Sequence, residues 1–211
     1  MKSFNWLLVL SVLSCIGCSS PVHEDGRGCA FVSDSIQYRV EFMSAGCVRI
    51  LSFPEGDTLV TKRLVVDSEK PAFKDYKWED TGQKLLFRTR ELSVVFDKAD
   101  AAFIFQETST GKLLLKEKGD RKARNFKRSV AGGEQCLEVT QRFVPTEDEA
   151  IYGLGQYQNG IMNYRGKSVL LLQANMDIVN PFLISTNGYG VLWDNYCLLY
   201  TSPSPRDKRQ S

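Results

Sequence analysis

From Ile36 onward the apolar residues of this chain recur at every second position: Ile36, Tyr38, Val40 and Phe42 alternate with Gln37, Arg39 and Glu41. Successive side chains of a strand point to opposite faces, so this spacing predicts a strand with one face buried. A turn at Ser44-Ala45-Gly46 follows, and the run from Val48 to Phe53 reads as the hairpin partner. Pro54-Glu55-Gly56-Asp57 then breaks the chain. Further strands are expected over Leu59 to Val66, Leu85 to Arg90, Leu92 to Phe96, Ala102 to Gln106 and Gly111 to Lys116, and Leu137, Val139, Gln141 and Phe143 continue the same period. No window of a dozen residues carries an apolar stripe of period 3.6, so amphipathic helices are scarce or absent. The expected fold is all-β: a β-sandwich of two antiparallel sheets that bury their alternate apolar residues against each other.

A chain of 211 residues suits one domain with short extensions, and 43% hydrophobic with 25% charged residues is an ordinary globular balance. Of the net charge of +2, Lys2 supplies +1 and the tail residues Arg206, Asp207, Lys208 and Arg209 supply +2, which leaves the middle of the chain at −1. Such a surface has no electrostatic footprint for nucleic acid. The basic cluster from Lys116 to Arg128 reads as a solvated loop.

The ends stand apart from the body. Residues 1–18 have the form of a secretory signal: Lys2, an apolar run from Trp6 to Leu13, then small residues and cysteine. That run is too short to span a bilayer. Cys18, with Gly17 before it and Ser19 after it, resembles the lipidated cysteine of bacterial lipoproteins, with Cys15 as a competing candidate and plain secretion as the alternative. A lipid anchor places the protein on a membrane face, in the periplasm or at the cell surface. Residues 19–30 read as a linker, and 31–196 as the domain. Residues 197–211, Ser/Pro/Arg-rich, resemble translated adaptor sequence and are set aside from fold reasoning, with a natural flexible tail as the alternative.

Setting the ends aside leaves Cys29, Cys47 and Cys136. An odd number without C-x-x-C spacing argues against a disulfide framework or a structural zinc site, although one Cys29–Cys47 bridge is compatible with an oxidising compartment. His23 is the one histidine, so neither a His-centred triad nor a His metal cluster can be assembled, and no metal or cofactor is expected.

Between Glu149 and Asn195 the chain concentrates Gly153, Gly155, Gly160, Gly166, Gly188 and Gly190 among aromatic and Asn residues. This mixture suits close-fitting loops, or ordinary turns between apolar strands. Four pieces occur in order: Ile151-Tyr152-Gly153-Leu154-Gly155-Gln156, read as a turn; Asn163-Tyr164-Arg165-Gly166; Pro181-Phe182-Leu183-Ile184-Ser185; and Gly188-Tyr189-Gly190-Val191-Leu192-Trp193-Asp194-Asn195. Together they resemble the N-terminal, galactose-mutarotase-like β-sandwich of glycoside hydrolase family 31, in its bacterial α-xylosidase and α-glucosidase branch.

The resemblance implies an exo-acting, retaining enzyme that removes α-linked sugars, with the sandwich preceding a (β/α)8 barrel that carries both catalytic carboxylates. Retaining hydrolysis needs a nucleophile and an acid about 5 to 5.5 Å apart. The KW-(aliphatic)-D motif of the family nucleophile is absent from this sequence, so no catalytic residue is assigned and the chain reads as a fragment inert by itself. By order, the family loop that leans over the barrel mouth maps to 173–180, where Asn175 and Asp177 either hydrogen-bond sugar hydroxyls of an α-linked oligosaccharide or stabilise a turn. Gln156, Tyr157 and Arg165 read as residues holding the YGLG turn and the next strand. A stand-alone, lipid-anchored carbohydrate-binding module and a ligand-free structural sandwich are the other readings that this fold class admits.

Overall fold

The alternation from Ile36 does form a strand in the computed structural model, which describes residues 22–57, 72–119, 121, 124–131, 133–171 and 176–194. The described residues are all-β, without a helix, and every strand pairing is antiparallel. The first sheet is β1 (His23–Glu24), β2 (Cys29–Ser33), β3 (Ile36–Ser44) and β4 (Cys47–Pro54), in that order. The second is β5 (Lys77–Asp80), β6 (Lys84–Arg88), β7 (Leu92–Asp97), β8 (Ala102–Glu107) and β9 (Leu113–Lys116), again in chain order. Within the expected linker, His23 and Glu24 pair with Ala30 and Cys29. The strand expected over Leu59 to Val66, the leader with Cys15 and Cys18, and the tail 197–211 lie outside the described residues.

Period two decides which side chains meet between the two sheets. Cys29, Phe31, Tyr38, Val40 and Phe42 of the first face Leu85, Phe87, Val94, Phe96 and Phe103 of the second. The rings pack directly, with Phe31–Phe96 centroids 4.8 Å apart, Phe96–Phe103 4.9 Å and Tyr38–Phe96 5.1 Å, all in tilted arrangements that suit ring quadrupoles. Burying one such ring is worth about 1.5–3 kcal/mol. On the opposite face of β3 and β4 a charge ladder runs from Asp25 to Arg39, on to Glu41 (3.3 Å), to Arg49 (3.5 Å) and to Asp194 (3.3 Å).

The basic stretch expected as a solvated loop is structured. β10 (Arg124–Ala131) and β11 (Glu134–Gln141) form a two-stranded hairpin, and Arg124 is buried at its base. The guanidinium lies over the rings of Tyr38 (5.4 Å) and Phe103 (5.0 Å) and donates to the fully buried Glu117 at 2.5 Å. Glu117 also accepts from the Phe103 N–H (2.9 Å) and the Gln141 amide (2.6 Å). Burial pushes the Glu117 carboxyl above its ordinary value, against the pull of Arg124. Basic composition misled because it cannot show that one arginine of seven cations in the cluster finds a buried carboxylate and two ring faces.

The described cysteines form no bridge: Cys29 is a free thiol buried in the core, and Cys47 and Cys136 are free as well. Cys29 meets the Tyr76 hydroxyl at 3.7 Å instead.

Candidate functional site

The glycine-rich stretch forms a separate three-stranded sheet of β12 (Ile151–Gln156), β13 (Ile178–Ser185) and β14 (Tyr189–Leu192). The piece expected as a YGLGQ turn is therefore a strand, β12, with a register shift between Gly153 and Gly155. Gly153, Leu154 and Gly155 take φ of 100°, 67° and 115°. A Cβ on Gly155 would stand 1.9 Å from the Ile178 carbonyl oxygen, and one on Gly153 would stand 2.5 Å from that of Phe182. Only glycine satisfies both the left-handed backbone and this approach, so the bulge requires the sequence it has.

Glu149, just ahead of β12, is the hub of this region. It is buried, and it accepts hydrogen bonds from the Ser185 hydroxyl (2.6 Å), the Thr146 N–H (2.8 Å) and the Tyr189 hydroxyl. Burial alone would raise its carboxyl, but the bonds from Ser185, Tyr189 and Thr146 outweigh it and hold the group below the ordinary glutamate value. Arg165 donates through one nitrogen to the carbonyls of Thr146 (2.6 Å) and Glu149 (2.7 Å). Asn163 accepts from the N–H groups of Ile151 (3.1 Å) and Arg165 (3.0 Å). Tyr157 donates to the Leu154 carbonyl (3.0 Å), across the bulge.

Asn187 and the end of the last motif join this sheet to the sandwich. The Asn187 amide donates to the carbonyls of Leu113 (2.9 Å) and Leu114 (2.7 Å) in β9, and Lys112 donates to the Asn187 carbonyl (2.9 Å). Trp193 packs edge-on against Phe143, and Asp194 pairs with Arg49 of β4. Glu149 and Asn187 carried no role in the sequence reading. A carboxylate ahead of a strand gives no periodic signal, and its three donors come from residues 3 to 40 positions away.

Beside the bulge lies an open, mainly polar groove of about 390 Å³, lined by Tyr157, Gln158, Asn159, Ser168, Val169, Leu170 and Asp177. Asp177 is half-buried, next to Met176, which holds a φ of 76°. Burial, then the neighbouring Tyr164 and Asp177, raise the Tyr157 phenol above its ordinary value. Asn175 lies outside the described residues. The expected loop 173–180 is shorter at its C-terminal end, since Ile178 to Asn180 already belong to β13. Gln156 sits in β12, paired with Ile178. A groove with one carboxylate and several amide and hydroxyl groups can hydrogen-bond a polyhydroxyl ligand. It lacks a second lining carboxylate among the described residues, so it offers no acid and nucleophile pair. No group of three or more potential metal ligands exists among the described residues.

An antiparallel sandwich with a bulged, glycine-dependent sheet beside it is consistent with a galactose-mutarotase-like domain. The model for the glycosyl hydrolase 31 N-terminal galactose mutarotase-like domain matches residues 37–200, four residues beyond the expected domain end at Tyr196. The chain belongs to glycoside hydrolase family 31. It is 34% identical over 179 residues to an α-xylosidase of Saccharolobus solfataricus, a match that covers 78% of this chain and 23% of that protein. The crystal structure of an α-xylosidase from Xanthomonas citri superposes with a TM-score of 0.70 at 30% identity, over 82% of this chain and 19% of the other. A soil-metagenome α-xylosidase complexed with xylose gives 0.65 at 26% identity, over 83% and 28%. The chain thus spans 19% to 28% of the length of these relatives.

Proposed function

We propose that this chain is the N-terminal sandwich of a secreted, retaining α-glycosidase of α-xylosidase or α-glucosidase type, whose catalytic carboxylates lie in a barrel beyond it. The observation that carries this reading is the 34% identity to an α-xylosidase across 78% of the chain, since the aligned region includes most of the sandwich. In this reading Asp177 contributes from the groove beside β12, with Asn175 on the same loop, and both hydrogen-bond hydroxyls of an α-linked oligosaccharide held mainly by the barrel. Cys18 carries the lipid, which fixes the enzyme to the bacterial membrane or cell surface.

The deciding experiment is the DNA sequence downstream of the codon for Tyr196. An open frame of some hundreds of codons with a KW-(aliphatic)-D motif supports the enzyme, and a native stop codon at that point overturns it. The purified 211-residue chain should hydrolyse neither aryl α-xylosides nor aryl α-glucosides. In a full-length enzyme, Asp177→Ala should lower kcat/KM about tenfold, the effect of losing one charge-assisted hydrogen bond. Detergent-phase partitioning that vanishes in Cys18→Ala tests the anchor.

A further inference from the structure

The β10–β11 hairpin is a two-stranded sheet of its own, joined to the sandwich at its base. Within the aromatic core no member comes from either of its strands. Arg124 is the one buried residue among its described residues. Beyond Arg124 and the Gln141 amide, its contacts with the rest of the protein lie, among the described residues, at the base and in one exposed ion pair. At the base, Lys118 N–H donates to the Arg142 carbonyl (3.0 Å), Val144 N–H donates to the Lys116 carbonyl (2.9 Å), and Glu117 bridges Phe143. The exposed pair is Arg128 with Asp57 at 3.1 Å, of the kind worth at most about 1 kcal/mol.

Register makes the hairpin two-faced. Arg124, Phe126, Arg128 and Val130 share a face with their cross-strand partners Gln141, Val139, Leu137 and Gln135. The same face that sinks Arg124 into the sandwich carries Val139 and Val130 outward, where they are 46% and 68% exposed. The other face carries Asn125, Lys127, Glu138 and Thr140.

We propose that Glu117 and Arg124 form a clasp, and that the β10–β11 hairpin opens as a unit when the clasp is broken while the sandwich stays folded. The geometry concentrates the attachment at one buried point. Both partners are out of water, so removing either leaves a buried charge uncompensated, a severe local penalty. A hairpin of two strands has little independent stability, so its order depends on that point. The sandwich depends on it less, because its rings contact one another across the sheets without the arginine. The clasp thereby creates a separate opening unit, with a stability distinct from that of the core.

Hydrogen exchange read by mass spectrometry on the full 211-residue chain tests this, using Glu117→Gln and Arg124→Lys. Glu117→Gln keeps the shape and removes the charge. Peptides covering 124–141 should exchange at least about tenfold faster, while peptides covering β6 and β7 change by less than about twofold. Arg124→Lys keeps the charge but loses the flat stack on Tyr38 and Phe103, and it should give the same pattern with a smaller rise. A hairpin-to-core ratio below about five in Glu117→Gln, whether from a uniform rise, from loss of protection throughout, or from no change, overturns the proposal.

Discussion

The aromatic sandwich and the three-stranded sheet that follows it are both antiparallel and both written in period two, yet they are held together by different means. In the sandwich the stabilising contacts are ring on ring, and neighbouring aromatic or branched residues can substitute with repacking. In the sheet of β12, β13 and β14, the outward positions Tyr152, Ile178, Phe182, Ile184 and Leu192 are all exposed. Its order comes from the Glu149 hub, from Arg165 and Asn163, and from two glycines whose Cβ positions other backbone already fills. Apolar packing tolerates many sequences, whereas a hub and a bulge tolerate few. That difference places the recognisable motifs in the second region, where their residues act mostly as joints.

Substitutions can break the comparison in a graded order. Phe96→Ala should cost about 3–5 kcal/mol in urea unfolding and should weaken both large sheets together, because Phe96 touches Phe31, Tyr38 and Phe103. A cost under about 1 kcal/mol would mean that the core does not rest on its rings. Gly155→Ala should cost about 3 kcal/mol from strain and the clash with Ile178, and hydrogen exchange should rise in 151–156 and 178–192 more than in the sandwich. Glu149→Gln should cost about 1–3 kcal/mol by leaving donors from Ser185, Tyr189 and Thr146 poorly matched. Gly160→Ala, at φ 68° with open space around it, should cost only about 1 kcal/mol and serves as the control for backbone strain without a clash.

Acidification sharpens the same contrast. The Glu149 carboxyl is held below its ordinary value, so its contribution is fully present above the unfolded-chain value of about 4.3. That contribution is lost as pH falls through the lower folded value. Thermal unfolding between pH 5 and 2 should therefore show an acid-side loss that shrinks in Glu149→Gln, and an unchanged profile would remove Glu149 as the hub.

Much of the fold was legible in the sequence because alternation reports directly on which face of a strand is buried. β3, β4, β6, β7 and β8 lie where the period of two placed them. Long-range polar pairing left no such trace. Arg124 looked like one more cation in a basic run, and its burial depends on Glu117 and on rings from both sheets. The YGLGQ glycines signalled a special backbone correctly, but a turn and a bulged strand use the same residues, and only the partner strand distinguishes them. Of the candidate site, Asp177 was found beside a groove, while the Tyr157, Asn159 and Ser168 lining comes from loops whose meeting no local pattern encodes.

The short first strand sets a length scale for the proposed anchor. Glu24 in β1 accepts from the Tyr76 hydroxyl (3.0 Å) and the Trp78 indole N–H (3.0 Å), so the first described strand is tied to the second sheet at once. Four residues separate Cys18 from His23. Even fully extended, that stretch spans only about 18 Å from Cys18 to His23. A protein lipidated at Cys18 would hold His23 within about that distance of its lipidated residue.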